Sequence, residues 1–168
     1  MYIVFRWQTE DRTDGTDLSD YIWGGWGNDS LGGGLGNDRI LAGIGDDLLL
    51  GGEGRDTLDG GEGNDVLDAG SGGGTMTGGL GADSFHFGDG AGLAGEPLTV
   101  TDFRPEEGDT LQFLDSGEGA ELLAAPDEGG YLVRFGEGAE ILVRTAAGAE
   151  EFAAAIRWGA EVPPDPFA

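Results

Sequence analysis

The chain has 168 residues, 33 of them acidic and 8 basic, for a formal net charge of −25, with 36 glycines, 38% apolar residues and no cysteine. That balance excludes the basic face a nucleic-acid partner needs, and it disfavours an anionic membrane surface. Disulfides and thiolate metal sites are excluded outright, so a fold carrying this much self-repulsion needs another staple, of which a bound cation is one.

The N-terminus, Met1-Tyr2-Ile3-Val4-Phe5-Arg6, has no basic stretch ahead of an apolar one, so a cleaved signal peptide is not expected. No segment approaches the ~20 apolar residues of a membrane span. Tyr2–Trp7 reads as a strand, and residues 1–14 as an N-terminal strand or cap.

From Gly15 the sequence falls into blocks of nine that stay in phase to His86. Gly24-Gly25-Trp26-Gly27-Asn28-Asp29-Ser30-Leu31-Gly32 is one block, and Gly60-Gly61-Glu62-Gly63-Asn64-Asp65-Val66-Leu67-Asp68 another. The sixth position is Asp20, Asp29, Asp38, Asp47, Asp56, Asp65, Gly74 and Asp83. The eighth is always apolar: Ile22, Leu31, Ile40, Leu49, Leu58, Leu67, Met76 and Phe85. Glycines at positions one, two and four suit a backbone turning through positive φ with its carbonyls close together. Positions seven to nine suit a short strand whose middle residue points inward. Such a strand buries nothing alone, but stacked turns build an inner ladder of position-eight side chains. The same stacking piles carboxylates on one another, which demands a cation between them. Calcium takes six to eight oxygens at ~2.3–2.6 Å and accepts carbonyls, whereas magnesium holds its water and wants stricter geometry.

After the repeat, residues 87–97 read as a loop. Leu98–Phe103 and Thr110–Leu114 read as strands about an Arg-Pro-Glu-Glu-Gly turn. Tyr131–Phe135 and Glu140–Arg144 alternate as a hairpin around Gly136-Glu137-Gly138. Ala149–Arg157 is the expected helix, with Phe152 and Ile156 on one face, and Pro163-Pro164 ends regular structure.

The blocks resemble the RTX (repeats-in-toxin) nonapeptide G-G-x-G-x-D-x-U-x. The segments Gly81–Phe87, Val100–Phe103 and Gly108–Phe113 are similar to those that close the roll of serralysin-type proteases. The resemblance implies an all-β fold: a right-handed parallel β-roll over residues 15–86, two nonapeptides per turn. Residues 87–168 would form a C-terminal antiparallel cap with one short helix and a possible secretion signal. It implies several calcium ions, each between one loop and the loop two blocks on. The ligands would be the aspartate and the position-two and position-four carbonyls of one loop, with the aspartate and the position-one and position-three carbonyls of the other. Carried onto this sequence, Asp20 stands with Gly34, Gly36 and Asp38, and Gly25 and Gly27 stand with Asp29. Gly43 and Gly45 go with Asp47, Gly51, Gly52, Glu53 and Gly54 with Asp56, and Gly60, Gly61, Glu62 and Gly63 with Asp65. Gly78 and Leu80 go with Asp83. Asp102 and Asp109 match the aspartates that hold a calcium in the closing segment. Asp29, Asp47, Asp65 and Asp83 form one ladder. Asp20, Asp38, Asp56 and Gly74 form the other, whose site between Asp56 and Gly74 is expected to be weak or completed otherwise.

No His-Glu-x-x-His motif, cysteine nucleophile or Gly-x-Ser-x-Gly elbow occurs, and an enzyme is not expected. His86, at position nine, reads as a solvent-facing strand residue. The resemblance implies a secreted, non-enzymatic module, exported unfolded by type I secretion machinery and folded by extracellular calcium. The tail Asp165-Pro166-Phe167-Ala168 is similar to the ends of such proteins. Related rolls contact polysaccharide or sit in adhesins and surface layers, so a polysaccharide-binding, self-assembling or adhesive module is the second reading, and the remnant of a secreted RTX enzyme the third. Trp23 and Trp26, and the outward Leu48, Leu50 and Val66, are the candidate partner surface, with Tyr21 and Trp7 beside the tryptophans.

Overall fold

The computed structural model describes residues 3–5, 10–88, 98–113, 121–125, 129–135 and 139–159. In chain order these form β1 (Ile3–Phe5), β2 (Arg12–Thr16), β3 (Tyr21–Trp26), β4 (Ser30–Leu35), β5 (Arg39–Ile44), β6 (Leu48–Glu62), β7 (Val66–Asp68), β8 (Ser71–Leu80), β9 (Ser84–Phe87), β10 (Leu98–Val100) and β11 (Thr110–Phe113). There follow β12 (Glu121–Ala125), β13 (Gly130–Phe135), β14 (Ala139–Arg144), a helix α1 (Ala149–Ala154) and β15 (Ile156–Trp158). The fold is nearly all β, a parallel solenoid with one short helix and added antiparallel strands.

The eighteen-residue turn is visible in the pairing. On one face Val4, Ile22, Ile40, Leu58, Met76, Val100 and Val143 are successive partners in parallel register. On the other, Thr13, Leu31, Leu49, Leu67, Phe85, Leu111 and Ile156 are. All eight position-eight side chains are at most 1% exposed. Burial of each such side chain is worth about 1.5–3 kcal/mol, which single short strands could not gather alone.

Three details depart from the sequence reading. β3, β4 and β5 run six residues rather than three, because positions two and three also pair with the next turn, as Gly25 with Gly43 and Trp26 with Ile44, whereas β7 keeps the expected three. At block seven the loop is ironed out. β6 and β8 run unbroken from one face to the other, with Asp56 opposite Gly74. The helix stops at Ala154, and Ile156 extends β15 onto Leu111 instead of sharing a helical face with Phe152. A helix this short is marginal alone, so pairing on the open sheet edge wins.

Beyond residue 86 the expected strands do not leave the solenoid. β10 and β11 add parallel rungs to β8 and β9, and β14 and β15 add one more to each. The hairpin is as expected, with β13 antiparallel to both β14 and β12. Aromatic side chains plug this end. Phe103 meets Phe85 at 6.1 Å and Phe152 edge-on at 5.6 Å, Tyr131 stacks on Phe152 at 4.5 Å, and Phe87 stacks on Phe113 at 4.8 Å. The centre of the proposed 87–97 loop, the Gly136–Gly138 turn, Trp7 and the tail after Gly159 lie outside the described residues.

Candidate metal centres

The sixth-position aspartates are buried, and each is tied to the next turn in one direction. The backbone N–H of Asp29 donates to Asp47 Oδ1 (2.6 Å), that of Asp47 to Asp65 Oδ1 (2.8 Å), and that of Asp65 to Asp83 Oδ1 (2.9 Å). On the other side Asp20 donates to Asp38 and Asp38 to Asp56, both at 2.8 Å. One oxygen of each carboxylate therefore closes a loop. The other does not. Oδ2 of Asp29, Asp38, Asp47, Asp56, Asp65 and Asp83 is buried with no hydrogen-bond partner. A buried carboxylate oxygen left so is expensive, and a row of them on successive turns is more so.

What those oxygens face is set by the glycines. A Cβ built on Gly60 would lie 2.2 Å from Asp65 Oδ2 and 2.7 Å from the Gly78 carbonyl. Gly24 stands likewise beneath Asp29 Oδ2 and the Ala42 carbonyl, Gly33 beneath Asp38 Oδ2 and that of Gly51, and Gly51 beneath Asp56 Oδ2 and that of Ala69. A carboxylate of one loop and the position-one carbonyl of the loop eighteen residues on thus converge over a bare Cα. This corrects the reading of position one, where no positive φ is seen and a small residue, glycine or the alanine of Ala42 and Ala69, leaves room. Positive φ falls at positions two and four, as at Gly61 (111°) and Gly63 (137°).

Burial lifts the carboxyls of Asp47 and Asp56 to about 6 and that of Asp65 to about 7. The N–H each receives pulls the other way, and the neighbouring aspartate raises it further. Asp29, Asp38 and Asp83 are raised by the same burial. A cation is what would reverse this. Among the described residues no three His, Cys, Asp or Glu side chains converge on a point. The cradles are instead oxygens of mixed origin, carboxylate and carbonyl, which suits a hard cation of high coordination number. Glu53, Glu62 and Leu80, expected to contribute only carbonyls, point their side chains to solvent.

The weak ends differ in kind. Asp20 Oδ2 accepts from the Thr16 N–H (2.7 Å) and hydroxyl (2.8 Å). Asp56 keeps its lone oxygen, but Gly74 opposite brings no carboxylate. Asp109 extends the first ladder, taking the Asp83 N–H (3.0 Å) on Oδ1 and the Arg104 N–H (2.7 Å) on Oδ2, and burial lifts its carboxyl to about 6. Asp102 grips the Gly78 and Gly79 N–H groups at 3.0 and 2.9 Å.

Two features were missed. Asp11 is the sixth position of a further block, 6–14, and its N–H donates to Asp29 Oδ1 at 2.7 Å. The signal was the phase itself, hidden because Arg6, Trp7 and Thr9 replace the glycines. At position five a second ladder runs the opposite way. Asn28 Oδ1 accepts from Asp46 N–H, Asp46 from Asn64, and Asn64 from Ala82, at 3.0, 2.8 and 2.9 Å. The recurring Asn or Asp at that position was legible.

His86 is not solvent-facing but 4% exposed, held in register between Asp68 and Gln112. Burial lowers its pKa, against the pull of Asp68. Leu48, Leu50, Val66 and Trp23 are half-buried on the outer faces, and Trp26 is 55% exposed. Tyr21 and Trp23 pair with β1 through Ile3 and Phe5.

A family model, the RTX calcium-binding nonapeptide repeat in four copies, matches residues 11–40 and 41–76. Among solved structures, the AlgE6R3 subunit of the Azotobacter vinelandii mannuronan C5-epimerase is similar at 21% identity and a TM-score of 0.40, over 91% of this chain and 80% of that one. No curated protein matches.

Proposed function

We propose that this chain, which carries RTX calcium-binding nonapeptide repeats, is a non-enzymatic extracellular module whose folded state is gated by calcium. The row of buried, partnerless carboxylate oxygens, with those of Asp29, Asp38, Asp56 and Asp65 each beside a carbonyl of the next turn, carries this reading. Asp29, Asp38, Asp47, Asp65 and Asp83 would hold the ions, with the position-one carbonyls of Ala42, Gly51 and Gly78 beside Asp29, Asp38 and Asp65. Bound calcium supplies the positive charge that lets these carboxylates stay ionised and buried side by side. Without it, the same groups and the abundant glycine favour the open chain. Extracellular modules bind at roughly 10⁻⁴–10⁻³ M, far above cytosolic levels, which suits a chain kept extended inside the cell and exported by a type I route before it folds.

The test is a far-UV circular dichroism titration of chelated protein with calcium, with magnesium as control. A cooperative gain of β signal with calcium alone is expected. A fully folded spectrum in chelator would overturn the gate.

A second reading, a module that docks on a partner, is favoured by the exposed position-three row. Trp26, Ile44 and Leu80 are 55%, 47% and 60% exposed on successive turns, interrupted only by Glu62.

A further inference from the structure

The outer face of β3, β5 and the second half of β6 carries a groove of about 370 Å³ that the calcium reading does not use. Parallel register sets Trp23, Leu41 and Asp59 in one row along it. Tyr21, two residues before Trp23 on the same strand, lines its β3 end, and Gly43 and Gly61 leave the floor at the level of the backbone. With a strand spacing of ~4.8 Å, the row changes from aromatic to aliphatic to carboxylate over about 10 Å. Asp59 is half-buried, and among the described residues no hydrogen bond or ion pair reaches its carboxylate. Arg39, exposed on the adjoining strand, and Asp102 both lie within its electrostatic reach, leaving two carboxylates against one guanidinium.

We propose that this groove receives a long cationic side chain, arginine or lysine, from a partner peptide. The apolar stem of such a side chain matches Tyr21, Trp23 and Leu41, and its head matches Asp59. A net charge of −25 draws basic partners towards this surface and repels acidic ones. The site is independent of the ladders, since Asp59 is a ninth-position residue on the outer face.

The experiment uses the full chain in saturating calcium, titrated with a blocked arginine peptide and with the same peptide built of citrulline, the neutral isostere. Calorimetry and tryptophan fluorescence report binding. Asp59→Asn is expected to weaken the arginine peptide by about tenfold or more, as loss of a charge-assisted hydrogen bond should. Glu150→Gln, an exposed carboxylate on the distant helix, should leave it unchanged, and the citrulline peptide should bind at least as weakly as arginine does to Asp59→Asn. Leu41→Arg, which fills the groove from within, should abolish binding, and it decides the matter if Asp59→Asn does not show the folded dichroism spectrum. Equal losses for Asp59→Asn and Glu150→Gln would mean diffuse attraction. Equal binding of citrulline would mean a neutral polar ligand. Either result, or no binding of the arginine peptide, overturns the proposal.

Discussion

Replacing Asp65 by asparagine separates a calcium ligand from a structural hydrogen bond. The Asp65 side chain has two jobs. Oδ1 accepts the Asp47 N–H at 2.8 Å, which an asparagine carbonyl does equally well. Oδ2 has no partner and faces the Gly78 carbonyl, and there an amide brings a donor where an anion stood. In about 10 mM calcium, a site with a dissociation constant on the order of 10⁻⁴ M stabilises the fold by RT ln(1 + [L]/Kd), about 2.7 kcal/mol. The variant should lose about 2–3 kcal/mol in urea unfolding followed by circular dichroism in calcium. In chelator, with an osmolyte added to populate the metal-free fold, the loss should vanish or turn into a small gain, because the variant no longer buries an anion. Asp20→Asn should change stability by less than about 1 kcal/mol in either medium, since Asp20 Oδ2 is already occupied by Thr16. An equal loss for Asp65→Asn in calcium and in chelator would refute the reasoning, because it would make Asp65 a structural acceptor only.

Burial lifts Asp47, Asp56 and Asp109 to about 6 and Asp65 to about 7 in the metal-free fold, above the ordinary carboxylate range near 3.8. The folded state then holds protons that the open chain has released. The stability these groups contribute is present below about pH 4 and is lost as pH rises through about 6 to 7. Chelated protein should therefore show more β signal at about pH 5 than at about pH 8, and calcium affinity should rise across the same interval; a chelated fold that strengthens with pH would contradict this. Gly60→Ala should weaken but not abolish the site beneath Asp65, since its Cβ would crowd Oδ2 but the Asp47 block already carries Ala42 at that position, whereas Gly148→Ala, with nothing within 4 Å, should be silent in the same calcium titration. Phe152→Ala empties the contact with Phe103 and Tyr131 and should cost about 3–5 kcal/mol in calcium; a change below about 1 kcal/mol would mean that the helix is no part of the cooperative unit.

The repeat was readable because two demands recur on every ninth residue. Leu49 must point inward and Asp47 must meet its counterpart eighteen residues away, so spacing alone fixes both the pairing partner and the side that faces the core. What escaped reading depends on contacts with no period. Asp11 was hidden because its block lacks the glycines. The burial of His86 follows its place in register between Asp68 and Gln112, the latter from a separate part of the chain. The helix was overrun for a similar reason: its alanines favour a helix locally, but Ile156 is claimed by Leu111. Position one was read for its conformation, when the demand there is room for a carboxylate that only the folded turn brings overhead.

The two faces of the solenoid are interchangeable inside and distinct outside. Either face accepts a nonapeptide of the full pattern, because each presents an apolar inward residue and a carboxylate. Loss of eighteen residues, such as 33–50, would remove one full turn and leave every remaining outer row on its own side. Loss of nine, such as 42–50, would keep both ladders continuous, with Asp29 now passing to Asp56 and Asp38 to Asp65. It would also swing Tyr21, Trp23, Arg39 and Leu41 half a revolution, to stack on Val66 and Asp68 in place of Thr57 and Asp59. Length variation in this architecture therefore comes in two grades: a nine-residue step reshuffles the surface while the interior stays indifferent, and an eighteen-residue step alters reach alone.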